Sequence, residues 1–321
     1  MSAGMMIFDL FCGAGGASLG IHAAMPEAQI VGIDNDRDAC ATHVAAGYTG
    51  TLRADITTLV PTDYGPADGL WASPPCPAFS SAGERAGVAQ LDDVIRHVMT
   101  WQPHDGIGWD GDPLIWLVTE PLRWVTALVP EWVVCEQVPA VLPIWEATAL
   151  RLRELGYWAW AGVLNSADYG VPQTRERAML LASCMYPIEP PVPTHAKHPR
   201  WRLDGTEELP WVSMAEALGL DNEDNLQTNR GQDADGNRQE VAVTRPAPTV
   251  STKASGQWTH SRQQVTLEEL ATLQGFPAGY PFQGNKTSIA RQIGNAVPPP
   301  LARACVQAVT GLQRGMEAAA S

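Results

Sequence analysis

Paired cysteines are missing from this sequence: Cys12, Cys40, Cys76, Cys135, Cys184 and Cys305 are scattered, with no CxxC among them. That spacing argues against a zinc ligand set and a disulfide framework, so no metal is expected and a reducing cytoplasm is. No uninterrupted apolar run approaches the ~20 residues that span a bilayer. Met1 to Gly20 lacks the basic start of a secretory signal and runs straight into a glycine-rich turn, so no membrane partner is expected. Positive charge is scarce as well. Lysine occurs only at Lys197, Lys253 and Lys286, and the net charge is −14, which at first sight argues against a polyanionic partner. The distribution changes that reading. Residues 1–185 carry 9 Arg and Lys against 21 Asp and Glu, residues 186–262 carry 8 against 11, and residues 263–321 carry 4 against 3. Phosphate contacts, if any, are therefore expected mostly from the second half.

What is present suffices for an α/β body: 321 residues, 45% of them apolar, can bury one large domain with or without a small second one. Met6 to Phe11 predicts a first buried strand that feeds the turn Cys12-Gly13-Ala14-Gly15-Gly16-Ala17-Ser18-Leu19-Gly20. Glycines there let the backbone approach a ligand and adopt positive φ, and the helix beneath offers its N-terminus to an anionic group. Many structural turns look alike. A second strand, Ala28 to Asp34, strengthens the case by ending in an acid about twenty residues on, where doubly wound folds bond ribose hydroxyls. Asn35 and Asp36 follow, then a helix from Arg37 to Ala46, and Thr51 to Ile56 sets Asp55 at another strand end. For Asp34 and Asp55 the competing explanation is helix capping; the spacing favours a ligand.

The stretch Trp71-Ala72-Ser73-Pro74-Pro75-Cys76-Pro77-Ala78-Phe79-Ser80 organises the rest. Pro74-Pro75 stops a buried strand and holds the Cys76 sulfur in one place, a mount suited to a nucleophile. Taken alone, a packed and inert cysteine is the commoner outcome. Residues 79–113 read as a long polar loop around a helix from Leu91 to Trp101, a lid able to admit and enclose a target. Leu114 to Leu128 predicts one helix whose Trp116 and Trp124 face the core. Glu131 to Pro139 predicts a strand presenting Glu136 at its carboxyl end, beside Cys76 if the two strands are neighbours. Cys135, inside that run, reads as packing.

A helix from Ile144 to Leu155 and a strand from Tyr157 to Leu164 come next. In Gln173-Thr174-Arg175-Glu176-Arg177 the two arginines stand at i and i+2 of an extended segment and point the same way. They offer donors for a phosphate or a base oxygen; the alternative is a surface ion pair with Glu176. Composition changes near Tyr186. His195 to Arg202, with Lys197, Arg200 and Arg202 around Trp201, suits nucleic-acid contact or a solvated linker equally. Asp221 to Arg238 reads as a flexible loop, and Arg245 to Val250 restores order. Thr266 to Pro277 predicts a helix with a Thr266–Glu269 capping box and a Gly275 stop. Ile289 to Pro300 reads as a polar turn before a closing helix, Leu301 to Leu312.

In this order the segments resemble the motifs of the bacterial and phage DNA cytosine-5 methyltransferase family. Phe8 to Gly16 resembles its S-adenosylmethionine loop, Pro74-Pro75-Cys76 its nucleophile motif and Glu136-Gln137-Val138 its carboxylate motif. Gln173 to Arg177 resembles its arginine motif, and Leu273 to Pro277 and Gln292 to Pro298 its two closing motifs. The match runs in family order from residue 6 to about 310, leaving out 186–243, where the family carries its variable target-recognition region. Two positions depart from the family's habit: Pro77 stands where Gln is usual, and Gln137 where Asn is usual. Neither removes a reacting group; both sit in the pocket wall.

The resemblance implies a doubly wound, mostly parallel α/β sheet of the S-adenosylmethionine-dependent methyltransferase type, with a small, irregular target-recognition domain. Residues 1–185 would be the catalytic and cofactor-binding domain, 186–262 the target-recognition region, and 263–321 a C-terminal segment returning to the catalytic domain. It implies methyl transfer from S-adenosylmethionine, leaving S-adenosylhomocysteine, to carbon 5 of a cytosine flipped out of double-stranded DNA, through a covalent Cys76 adduct. Glu136 would hold ring nitrogen 3 and the exocyclic amine, and Arg177 the base oxygen, with Arg175 in support or on phosphate. Phe11 would pack on the cofactor, Asp34 bind its ribose and Asp55 its adenine amine, with Asn295 and Val297 closing the methionine end. Gly13, Gly15, Gly16, Asn35, Ile56 and Pro75 would complete that site, and Ser80, Gln173, Lys197, Arg200 and Arg202 would face the substrate. A monomer in a bacterial or phage-infected cytoplasm is expected, and a restriction endonuclease partner is not implied. Two other readings stand beside this one. One is a DNA-binding homologue without turnover, motivated by Pro77, Gln137 and the acidic surface; the other is methyl transfer to tRNA, as in one relative of the family.

Overall fold

A computed structural model describes residues 4–75, 90–101, 113–202, 205–232, 238–255, 258–260 and 263–312. Short apolar runs become strands covered on both faces, as parallel sheets require. Strands β1 (Met6–Leu10), β2 (Gln29–Asp34), β3 (Leu52–Arg53), β4 (Gly69–Ala72) and β5 (Trp132–Gln137) pair in parallel in the order β3-β2-β1-β4-β5. Strands β6 (Trp158–Asn165), β7 (Gln173–Thr174) and β8 (Glu176–Ser183) follow. β8 runs antiparallel between β5 and β6 and completes a seven-stranded sheet. The connection from β6 to β8 is too short for the crossover that a parallel pair needs, which fixes that direction.

Alternate residues of each strand enter opposite cores. Phe8, Leu10, Leu70, Val133 and Leu180 pack with helices α3 (Leu91–Thr100), α4 (Pro113–Trp116), α5 (Glu120–Leu128) and α6 (Leu142–Glu154). Ile7, Trp71, Trp132, Val134 and Leu181 pack on the other side with α1 (Gly16–Ala24) and the closing helix Pro299–Val309, while α2 (Arg37–Ala45) runs beside β2. Trp116 and Trp124 are buried, as their spacing suggested. The single helix expected over 114–128 is instead broken by a tight turn at Leu117–Thr119. Pro121 has no N–H to continue the ladder and starts the next helix at its first turn.

The second half departs further from the sequence reading. Residues 225–232, expected within a flexible loop, form a strand paired antiparallel with Arg238–Ala242. Its far ladder partner, Thr259–His260, gives polar residues a sheet whose one inward apolar face is supplied by Leu226 and Trp258. Helices α7 (Met214–Leu218), α8 (Leu267–Leu273) and α9 (Lys286–Asn295) complete the region. The polar stretch read as a turn over 289–300 is largely α9: Asn285 caps its start by accepting from the Ser288 N–H, and Ile289 and Ile293 face the core. Met214, Val250 and Trp258 share one core with Leu270, Leu273 and Ile293. α10 (Pro299–Val309) packs back on the large sheet, against α1. The capping box of α8 is present, with Thr266 and Glu269 satisfying each other's backbone N–H.

Candidate active site

The carboxyl ends of β1, β2, β4 and β5 open on one cavity of about 1600 Å³. β1 ends in a sharp reversal: Phe11 takes φ 61 and Gly13 φ 53, both in the left-handed region that a non-glycine residue occupies at a cost of about 1–2 kcal/mol. The Cys12 N–H donates to the Ile33 carbonyl at 3.1 Å, and the Gly13 N–H to Asp34 Oδ2 at 2.9 Å, so the end of β2 holds the turn in place. Gly16 must be glycine for a different reason. A methyl there would lie 2.2 Å from the Val297 carbonyl oxygen, where the segment before α10 crosses the start of α1.

Phe11, Gly13, Gly16, Asp34, Asn35, Asp55, Ile56, Pro75, Asn295 and Val297 all line the cavity. Gly15 does not; its α-carbon faces His43 and the Tyr280 hydroxyl instead. The two acids differ in what they do. Burial raises the Asp34 carboxyl, opposed by N–H bonds from Asp36 and Gly13, and it caps no helix; Asp36 caps α2. Asp55 both borders the cavity and caps its own turn, accepting from the N–H and hydroxyl of Thr57. Behind it, Arg123 donates to the carbonyls of Ile56 and Leu59 at 2.8 Å and pairs with the buried Glu120 at 2.6 Å.

β4 and β5 are neighbours, with Ala72 opposite Cys135. Pro74 and Pro75 therefore leave β4 beside Glu136, and all three line the cavity. Cys76, Pro77, Ser80 and most of the 79–113 loop lie outside the described residues. Glu136 is buried and takes a 2.8 Å ion pair from Arg177 Nε, whose strand β8 lies alongside. Gln137 reaches back: its Nε2 donates to the Pro74 carbonyl at 2.8 Å, and its Oε1 accepts from the Val138 N–H at 2.5 Å. Cys135 is fully buried, which pushes its thiol far up and leaves it inert.

One expectation is corrected here. Gln173 is fully buried, off the cavity, with its amide donating to Gln274 and the Leu273 carbonyl and accepting from the Val250 N–H. It is an internal strut rather than a substrate contact. Arg175 does border the cavity, but its guanidinium donates to the carbonyls of Val250, Gly294 and Ala296 at 3.0–3.2 Å. It joins three segments, the supporting role of the two expected for it. Lys197 lines the cavity; Arg200 and Arg202 stand away from it, next to Glu208. Residues not singled out from the sequence also form the wall: Asp9, Trp211, Lys253 and Arg291, the last paired with Asp36 at 2.5 Å. Long-range packing brings Trp211, Lys253 and Arg291 there, while Asp9 arrives with β1, two residues before Phe11.

Fold and cavity define the class: a doubly wound α/β protein whose site opens at the carboxyl edge of its sheet. The family model for C-5 cytosine-specific DNA methylases matches residues 5–104, 111–202 and 206–310. The chain therefore belongs to that family and is a DNA cytosine-5 methyltransferase. It is 28% identical to the type II methyltransferase M1.HphI of Haemophilus parahaemolyticus, over 94% of this chain and 85% of that one. It is also 28% identical to M.NaeI of Lentzea aerocolonigenes, over 93% and 73%. The S. pombe Dnmt2 methyltransferase structure superposes with a TM-score of 0.64 at 17% identity, covering 96% of this chain and 99% of that one, a likeness of fold. Among the described residues no helix is long and apolar enough to cross a membrane.

Proposed function

We propose that this methyltransferase transfers the methyl group of S-adenosylmethionine to carbon 5 of a cytosine flipped out of double-stranded DNA, by way of a covalent bond to Cys76. The observation that carries the reading is a shared wall: the glycine turn, Pro74-Pro75 and the Glu136–Arg177 pair border one cavity. The walls suit the cofactor. Gly13 leaves open space at its α-carbon, and the acids Asp9, Asp34, Asp36 and Asp55 favour a cation. Phe11 and Ile56 would pack on the cofactor, Asp34 and Asp55 would hold its ribose and adenine, and Asn295 and Val297 its methionine end. When bound, it supplies an electrophilic methyl group.

Carbon 5 of cytosine is a weak nucleophile until carbon 6 is attacked. The Cys76 thiolate adds at carbon 6, and Glu136 eases that addition by holding nitrogen 3 and the exocyclic amine, with Arg177 at the base oxygen. After methylation carbon 5 loses its proton, the ring double bond re-forms and the thiolate departs. A stacked base cannot reach this cavity, so it must leave the helix at a cost of a few kcal/mol. Contacts from residues 186–262, the proposed target-recognition region, offset that cost. Cys76→Ser is expected to abolish methyl transfer, and the adduct on a fluorocytosine-substituted duplex, while S-adenosylhomocysteine still binds. An unchanged rate, or stable DNA binding with no adduct by the native chain, refutes the mechanism.

A further inference from the structure

Tryptophans fill much of the interior: Trp71, Trp124, Trp132, Trp145 and Trp258 are fully buried. Trp211 is not used that way. It is half-buried, borders the cavity and lies outside all three apolar clusters. Two bonds fix it. Its indole N–H donates to Asp168 Oδ1 at 2.8 Å, and its backbone N–H to the Ala196 carbonyl at 3.1 Å. With the indole N–H engaged, the ring has a face to offer a ligand but no polar edge. The Asp168 carbonyl also accepts from the Thr194 N–H at 2.9 Å, so one residue anchors both sides of the parallel ladder His195–Ala196 and Leu209–Pro210. Straight after the first of these strands comes Lys197, exposed and also on the cavity. Residues 194–202 carry Lys197, Arg200 and Arg202 and no acid, in a chain of net charge −14.

The sheet order shows which end of the cavity this is. β8 is antiparallel to both β5 and β6, so β6 runs parallel to β5 and ends at the same carboxyl edge. Asp168 sits in the turn Ser166–Tyr169 directly after it. Five strand spacings, about 24 Å, separate β6 from β2 and its Asp34. Trp211 is therefore out of reach of the ribose and adenine end of the proposed cofactor site. β6 is two spacings, about 10 Å, from β5 and its Glu136, with Arg177 on the strand between. Trp211 and Lys197 border the base end of the cavity, on the side of the Glu136–Arg177 pair away from the glycine turn.

We propose that Trp211 and Lys197 form a nucleotide platform at the mouth of the cavity, the indole face stacking on the base next to the extruded cytosine and the ammonium holding its phosphate. The inference rests on the base-flipping reading above. The cytosine itself is read by its edge at the buried Glu136, whereas Lys197 is exposed, where the strand enters. Extrusion strips the neighbouring base of a stacking partner, and an indole replaces that partner whatever the base. The phosphate contact fixes register and carries no sequence information.

The test is steady-state methyl transfer from labelled S-adenosylmethionine to a duplex containing a site this enzyme methylates, with S-adenosylhomocysteine binding as the check on folding. Trp211→Leu keeps an apolar side chain but no ring. It should raise KM for DNA about tenfold and leave kcat and S-adenosylhomocysteine affinity within about twofold. Trp211→Phe restores a ring face and should recover most of that loss. Lys197→Met, at an exposed position, should lower the slope of log KM against log salt by about 0.9, the value for one phosphate. With 2-aminopurine beside the target cytosine, the native complex should be dim, because a stacked indole quenches it, and the Trp211→Leu complex brighter. Equal KM in the native chain and Trp211→Leu, equal losses in the Leu and Phe variants, equal 2-aminopurine signals, or an unchanged salt slope in Lys197→Met overturns this inference alone. If Trp211→Leu does not fold, the Lys197 slope decides. A native chain that methylates no duplex sinks the base-flipping reading, and this inference with it.

Discussion

Replacing Arg175 by methionine separates two roles that one arginine could play in this fold. Its guanidinium is 2% exposed and donates to the Val250, Gly294 and Ala296 carbonyls, from segments 75 to 121 residues away. A hydrogen bond to a charged group contributes about 1.5–3 kcal/mol. Three such bonds in one network are not additive, and deleting the cation also removes its desolvation cost. Methionine keeps the packing of the aliphatic stem. The net loss is therefore about 2–4 kcal/mol, set by three carbonyls that lose a charged donor. That is a large part of the 5–15 kcal/mol that holds a typical domain together. Urea unfolding followed by circular dichroism should show the midpoint falling by about 1–2 M. Arg177→Lys should by contrast move it little, because Arg177 stands at the cavity wall beside Glu136, yet slow methyl transfer. Were Arg175 a phosphate contact, methionine would leave the midpoint in place and flatten the salt dependence of DNA binding. A stability change under about 0.5 kcal/mol would refute the clamp.

Two further substitutions probe the glycine turn and the proposed nucleophile loop. Gly15→Ala places a methyl 2.8 Å from His43 Cδ2 and 3.0 Å from the Tyr280 hydroxyl at φ 89, so a loss of about 2 kcal/mol is expected in thermal unfolding. S-adenosylhomocysteine affinity should fall with it, and full affinity would show that the turn is not set by those contacts. Gln137→Leu leaves the Pro74 carbonyl without its 2.8 Å donor, at about 1.4 kcal/mol. Single-turnover methyl transfer should slow about tenfold while cofactor affinity stays within twofold; an unchanged rate would mean that Gln137 does not position the loop.

The sheet and the carboxyl edge that borders the cavity were legible because both depend on local patterns. Apolar runs such as Trp132–Cys135 can only be buried strands in a sheet covered on both sides, and Pro74-Pro75 marks a strand end wherever it stands. The glycine turn was legible in the same way. Gln173 was misplaced, and the role of Arg175 left open, because the motif gives their spacing but not their partners: Val250, Gln274 and Ala296 come from segments with no recognisable link to β7. His43, buried on α2, went unremarked for the same reason. A buried polar residue reads like a surface one until the elements on either side of it are packed.

The same contacts make the proposed target-recognition region and the cofactor wall parts of one body. Val250 belongs to the core of Leu226 and Trp258, yet its carbonyl takes Arg175 Nη1 and its N–H is held by Gln173. Arg175 Nη2 holds the carbonyls of Gly294 and Ala296, and the next residue, Val297, presses its carbonyl against Gly16 at the start of α1. Tyr280, two turns of chain from α8, donates its hydroxyl to the Ala14 carbonyl at 2.5 Å. The glycine turn thus takes its shape from residues more than 260 positions further on. A helix start alone does not make the proposed cofactor site; it exists only once the second half has docked, which is why polar and charged side chains are buried at that seam despite their cost.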